Sequence, residues 1–279
     1  MRAKQNMFLV IASCLVGAWI LSAQKPPARD DAESVQLNQD SFADLSPENR
    51  EVFNALRDAT QQGRDADVLK EGRILLSSLQ PGTPLAKFVV LVTAGEAIET
   101  GDVGYARTLL EPYTEAHPRD WHAATLLARA YVESGEKALS NQQIAHVIEL
   151  HKQTSDPDFA NKHIFPIQKV QLRSGYAIFL YPFEPLKPYN TYLVALIYKS
   201  DGTQDYRLEL GSEDEDQAFF KPKHPGERRF SIDSYRKNEK VENGPEDQAL
   251  NGFVNGAFDY ERMRDLMIKV ANGEPLPHD

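Results

Sequence analysis

Cysteine is almost absent from this 279-residue chain, with Cys14 the only one. A single thiol excludes an internal disulfide framework. It also excludes paired-thiolate redox sites and multi-thiolate zinc sites. Excess basic charge is missing as well: 31 Lys and Arg stand against 41 Asp and Glu, a formal net charge of −10. Such a balance argues against a nucleic-acid partner, because phosphate neutralisation needs a basic surface. No GxSxG, HExxH, P-loop or GxGxxG is present, which removes the common hydrolase, zinc-protease and nucleotide-binding signatures. Ser134-Gly135-Glu136-Lys137 and Ser234-Tyr235-Arg236-Lys237 have SxxK spacing but lack an accompanying SDN or KTG. The first is read as a turn between helices and the second as a strand end. The histidines are scattered, and His146 and His151 lie about 140° apart on an ideal helix, a poor metal pair. No cofactor and no metal is expected, and the chain does not read as an enzyme.

Long apolar runs are equally scarce. The one that exists, Met7 to Leu21, follows Arg2 and Lys4 and leads to Ser22-Ala23-Gln24. Two positive charges, an apolar stretch and a small-residue exit have the layout of a secretory signal. Fifteen helical residues rise only about 22 Å against a hydrocarbon core of roughly 30 Å. Residues 1–23 are therefore expected to be a cleaved signal or a membrane anchor, with membrane attachment through residues 7–23 in the second case. Either way the rest is expected to be exported, periplasmic or extracellular. Cys14 lies inside this run, so a cleaved chain would have no thiol. Residues 24–45, with Pro26, Pro27 and seven acidic or amide side chains between Asp30 and Asp40, read as a flexible tether.

Helical periodicity begins at Ser46-Pro47, an N-cap with proline at the first helical position. Apolar stripes then recur through Val52, Phe53 and Leu56; Val68, Leu69, Leu75 and Leu79; Leu85, Val89 and Ile98; Ala106, Leu109 and Leu110; Trp121, Leu127 and Tyr131; and Ile144, Val147 and Ile148. Glycines at 63, 101 and 135 separate the members of successive pairs. In the middle unit Gly101-Asp102, Ala106 and Pro118 supply the turn, a small packing residue and a closing proline. In the third, Leu127, Ala128, Tyr131 and Gly135-Glu136 do the same work for a first helix and its turn.

On these residues, 46–156 resembles the tetratricopeptide repeat family. The resemblance implies a superhelix of helix pairs whose first helices form a concave, peptide-binding wall. Transferred by position, that wall would comprise Arg50, Phe53 and Arg57, then Phe88 and Leu91, then His122, Thr125 and Arg129. Its arginines and histidine imply a protein or peptide partner carrying an anionic group, such as a carboxylate. The bland alternative is that these arginines pair with local acids such as Glu51 or Glu133.

After Pro157 the pattern changes to β. Gln168–Leu172, Tyr176–Tyr181, Thr191–Lys199, Tyr206–Leu210 and the region of Phe230 and Ile232 read as strands, with Ser200-Asp201-Gly202-Thr203 as a hairpin turn. Tyr260 to Val270 places Met263, Leu266, Met267 and Val270 on one helix face. The expected fold is thus α+β in two domains: antiparallel helical repeats over 46–156, then an antiparallel sheet with a terminal helix over 165–279. Glu213 to Asp216 reads as a solvated acidic loop, and Lys221, Lys223, His224, Arg228 and Arg229 as a basic block beside it. The functional expectation is an exported protein-binding scaffold. An envelope enzyme with a non-standard site in the β domain, and an assembly factor dominated by that domain, are the competing readings.

Overall fold

The computed structural model describes residues 42, 45–184, 190–212, 221–236, 239–240 and 254–274. The signal or anchor segment, most of the tether and the acidic loop at 213–216 lie outside the described residues. Among the described residues the protein is α+β, with helices first, then an antiparallel sheet and a terminal helix. The chain divides into two compact units, 1–161 and 162–279.

The first unit is a succession of helices: α1 (Pro47–Gln62), α2 (Asp65–Ser78), α3 (Pro84–Glu99), α4 (Val103–Ala116), α5 (Trp121–Glu133), α6 (Lys137–Gln153) and the single turn α7 (Pro157–Ala160). Local chemistry fixes where α1, α3 and α5 begin. Ser46, Thr83 and Asp120 cap α1, α3 and α5 by accepting backbone N–H bonds from Asn49, from Ala86, and from His122 and Ala123. Proline follows the first two caps, where its missing N–H costs nothing. At the other end of α1 and of α5, Gly63 and Gly135 take φ of 60° and 71°, and Gly101 takes 84° after α3. A left-handed residue there lets the chain reverse within a few residues, which a β-carbon would strain.

Each helix packs on the next, and α3 also packs on α5, the helix two places along. The core has two centres. One gathers Phe53, Leu56, Ala59, Val68, Leu75, Leu85 and Val89 between α1, α2 and α3. The other gathers Leu91, Ala94, Ile98, Ala106, Leu110, Ala123 and Leu127 between α3, α4 and α5. Central α3 is consequently buried on nearly every side, as its apolar sequence requires.

The second unit is a sheet in the order β1 (Ile164–Gln171), β2 (Gly175–Pro182), β3 (Leu193–Lys199), β4 (Gln204–Gly211), β5 (Arg228–Arg236) and β6 (Glu239–Lys240), with β7 (Val254–Gly256) also on β5; every pairing is antiparallel. The β3–β4 connection is the expected hairpin. Asp201 accepts the Thr203 N–H, and Gly202 has φ of 81°. Register puts Ala177, Ile197 and Tyr206 across from one another, and likewise Phe179, Ala195, Leu208 and Ser234. α8 (Tyr260–Ala271) packs on β3 and β4. It buries Met263, Leu266, Met267 and Val270, the face legible in its sequence.

β1 begins four residues earlier than its sequence suggests, at Ile164 rather than Gln168. Pro166 reads as a breaker, yet β1 is an edge strand with a register shift between Pro166 and Gln168. An edge position and a bulge are the two places where a sheet tolerates proline. Pro166, the bulge and Lys169 also discourage another chain from pairing with this edge.

Candidate partner-binding face

The start points of α1, α3 and α5 are Pro47, Pro84 and Trp121, two steps of 37 residues (84 − 47 and 121 − 84). A second repetition ties the second helices together. Arg73 on α2 pairs with Asp102 at 2.8 Å and lies over the Tyr105 ring at 4.4 Å. Arg107 on α4 pairs with Glu136 at 3.3 Å and lies over the Tyr131 ring at 5.2 Å. Both arginines and both acids are separated by 34 residues (107 − 73 and 136 − 102). Asp102 and Glu136 precede α4 and α6, so each rung joins one helix to the entrance of the next second helix. Glu111 also engages Arg107 at 2.9 Å, and its bond raises the guanidinium's pKa above the ordinary arginine value.

The eight sequence-expected wall residues fall into three groups. Leu91 and Phe53 belong to the core, at 2% and 5% exposure. Leu91's apolar area is removed from water by helix packing, so it offers no surface to a ligand, whereas the Phe53 ring is covered in part by the ring of Phe42. Arg129 is also buried and is held by Glu99 at 2.6 Å, with Glu133 at 3.9 Å. This pair ties α3 to α5. Phe88, His122 and Thr125 are half-buried. His122 stacks on Trp121 at 3.5 Å between ring centroids, and the Thr125 hydroxyl donates to the His122 carbonyl. Arg50 and Arg57 are exposed: Arg50 donates to the Phe42 carbonyl at 3.2 Å, and Arg57 reaches Asp58 at 3.3 Å. All three arginines therefore have partners within the chain. Arg57 has Asp58, Arg129 has Glu99, and Arg50 has a backbone carbonyl.

Trp121 is packed against the helix that follows α6 instead of standing open. Its ring stacks on Phe159 of α7 at 4.4 Å, and Nε1 donates to Asp156 at 3.1 Å. Asp120 is buried beside it and accepts the Tyr113 hydroxyl at 2.7 Å besides capping α5. Sequence reasoning missed several participants, among them Phe42, Arg73, Glu99, Tyr105 and Arg107. For Arg73 a signal existed in the 34-residue spacing to Arg107. For Phe42 it lay in an apolar residue just ahead of the Leu45-Ser46 helix start.

In the sheet unit, the face of β2–β4 away from Ala177, Ile197 and Tyr206 carries Tyr176 and Tyr198, stacked at 5.0 Å, with the Lys169 ammonium 5.1 Å from the Tyr176 ring. Burial raises the Tyr198 phenol above its ordinary pKa. Beside them Arg207 pairs with Glu209 at 2.7 Å and lies over Tyr235. Among the described residues no three His, Cys, Asp or Glu side chains converge as a metal site would require. None of their helices is long and apolar enough to cross a membrane.

No known protein family matches the chain, and no curated protein or solved structure is found to be similar to it.

Proposed function

We propose that the chain is an exported, non-enzymatic protein-binding scaffold whose helices form a tetratricopeptide-like array. The observation that carries this reading is the double periodicity: first helices starting every 37 residues, and Arg73–Asp102 and Arg107–Glu136 rungs recurring at 34. Recurring inter-unit contacts are how repeat arrays are stabilised, each unit through its neighbour; the Arg–acid pairs recur at 34 residues, while the tyrosines beneath the arginines, Tyr105 on α4 and Tyr131 on α5, are not equivalent. Contact between α3 and α5 adds first-helix to first-helix packing, which supports a side-by-side wall of successive first helices.

On that wall the surface left to a partner is set by Arg50, Arg57, Phe88, His122 and Thr125. Leu91 and Arg129 act behind it by holding the helices in place. Because the arginines already have partners, the wall suits a largely neutral peptide gripped by aromatic contact and backbone hydrogen bonds more than a strongly anionic one. Residues 1–23 would deliver or anchor the scaffold at the membrane.

The test is affinity capture by the full-length protein in its own envelope, with and without the Arg50→Glu/Arg57→Glu pair. Both side chains are exposed, so the fold tolerates the change within about 0.5 kcal/mol each. Loss of the captured partner supports the wall. Undiminished capture overturns it.

A further inference from the structure

Two of the wall residues, Arg50 and Phe53, already hold a segment of this chain, and Phe88 packs against the second. Phe42, five residues before α1, puts its ring 5.1 Å from that of Phe53 at an interplanar angle of 59°. Phe53 in turn meets Phe88 on α3 at 6.2 Å and 55°. Tilted rings at these separations are the favourable aromatic geometry, in which a positive edge meets a negative face. The Arg50 guanidinium donates to the Phe42 backbone carbonyl at 3.2 Å. Leu45 donates its own N–H to the same carbonyl at 3.3 Å, and both Phe42 and Leu45 pack against the α1–α2–α3 core. An aromatic anchor, a backbone carbonyl taken by an arginine, and an apolar residue three positions on together make up a peptide-recognition contact.

We infer that the notch formed by Arg50, Phe53 and Phe88 is a recognition subsite for a neutral peptide carrying an aromatic residue with an apolar residue three positions later. In this structure its occupant is Phe42 with Leu45. The inference rests on the proposed function and specifies the partner chemistry of that same face. The geometry selects this chemistry in two ways. Arg50 is satisfied by a main-chain carbonyl, which any sequence supplies and which requires no carboxylate. Phe53, itself buried, presents only an aromatic surface, so specificity resides in the ring. A self-segment in the subsite scales the apparent affinity for a partner by the fraction of time the segment is undocked. Removing Phe42 therefore strengthens capture of a peptide in trans.

The experiment uses full-length protein and a fluorescein-labelled synthetic peptide of this chain's residues 37–46. Fluorescence anisotropy is expected to show Phe42→Ala protein binding the peptide about tenfold more tightly than the unaltered protein. The same peptide with its own phenylalanine replaced by alanine is expected to lose binding, and adding Arg50→Ala to the Phe42→Ala protein is expected to weaken it. As a second readout that does not depend on the alanine variant, a Phe42→Trp protein is expected to shift its emission to the red when excess unlabelled peptide displaces the indole. Equal binding by the unaltered and Phe42→Ala proteins, or binding by neither, overturns the inference. So does a dimer that dissociates on Phe42→Ala, since the segment would then sit on a second copy. If the peptide fails while Arg50→Glu/Arg57→Glu still abolishes partner capture, only this inference falls. If both fail, the wall itself is wrong.

Discussion

Helices α2 and α3 come close together at Gly72, and the contact yields a sharp test of how they are packed. Gly72 is buried on α2 and faces Thr93 on α3, which is fully buried. A β-carbon at position 72 would overlap Thr93 Oγ1 outright and stand 3.0 Å from Cγ2 and 3.1 Å from Cβ. Carbon atoms prefer about 3.5–4.0 Å, and a helical threonine has few χ1 alternatives. Gly72→Ala should therefore incur about 1–3 kcal/mol of overpacking, against roughly 1 kcal/mol regained in helix propensity. Thr93 Oγ1 has no hydrogen-bond partner among the described residues. Thr93→Ala thus removes no bond, and it opens the space that a methyl group at position 72 needs. The double variant Gly72→Ala/Thr93→Ala should recover about 1–2 kcal/mol relative to the sum of the singles, a coupling measurable by urea denaturation followed at a helical circular-dichroism band. If Gly72→Ala alone stabilises the protein by the full propensity gain, and the two changes are additive, α2 and α3 do not meet there.

Two further outcomes follow from other contacts. Arg129→Ala leaves Glu99 without its 2.6 Å partner in a largely buried setting and should cost about 3–5 kcal/mol, whereas replacing Arg129 and Glu99 together by methionine should be close to neutral; equal costs for the two variants in thermal denaturation would contradict a buried pair. Asp201 has its pKa lowered chiefly by the Thr203 backbone N–H. The hairpin stability it contributes is therefore present above the ordinary carboxylate pKa and lost as pH falls through the lower folded value; Asp201→Asn should flatten that acid-side loss of amide-exchange protection at residues 199–204, and an unchanged pH profile would refute it.

How far the sequence reveals these features depends on burial geometry. α8 is legible because only one of its faces is covered, so Met263, Leu266, Met267 and Val270 stand out from charged neighbours. The β3–β4 hairpin is legible because Asp201-Gly202 allows little else. α3 is opaque. Its apolar residues surround the helix, so no stripe distinguishes Leu91, which joins the α3–α4–α5 core, from residues that face outward. The same reason hides Arg129. A lone arginine on α5 looks like surface until packing brings Glu99 from α3 alongside it. Phe42 is obscured by its neighbours, since residues 24–41 have the composition of a tether and only its own apolar side chain ahead of Leu45-Ser46 hints at the contact with Phe53. Pro166 misleads in the opposite direction, because proline marks a break except at a sheet edge, and edge position is decided by topology that no local window contains.

The central claim is that the α1, α3 and α5 face captures a protein segment. The most direct measurement is photocrosslinking in the intact envelope from a reactive residue placed at Arg57 or Thr125 on the wall, compared with one at exposed Leu139 on α6. A discrete adduct is expected from positions 57 and 125, competed by excess peptide of residues 37–46 and absent from position 139. The same adduct from all three positions, or from 139 alone, would contradict that claim.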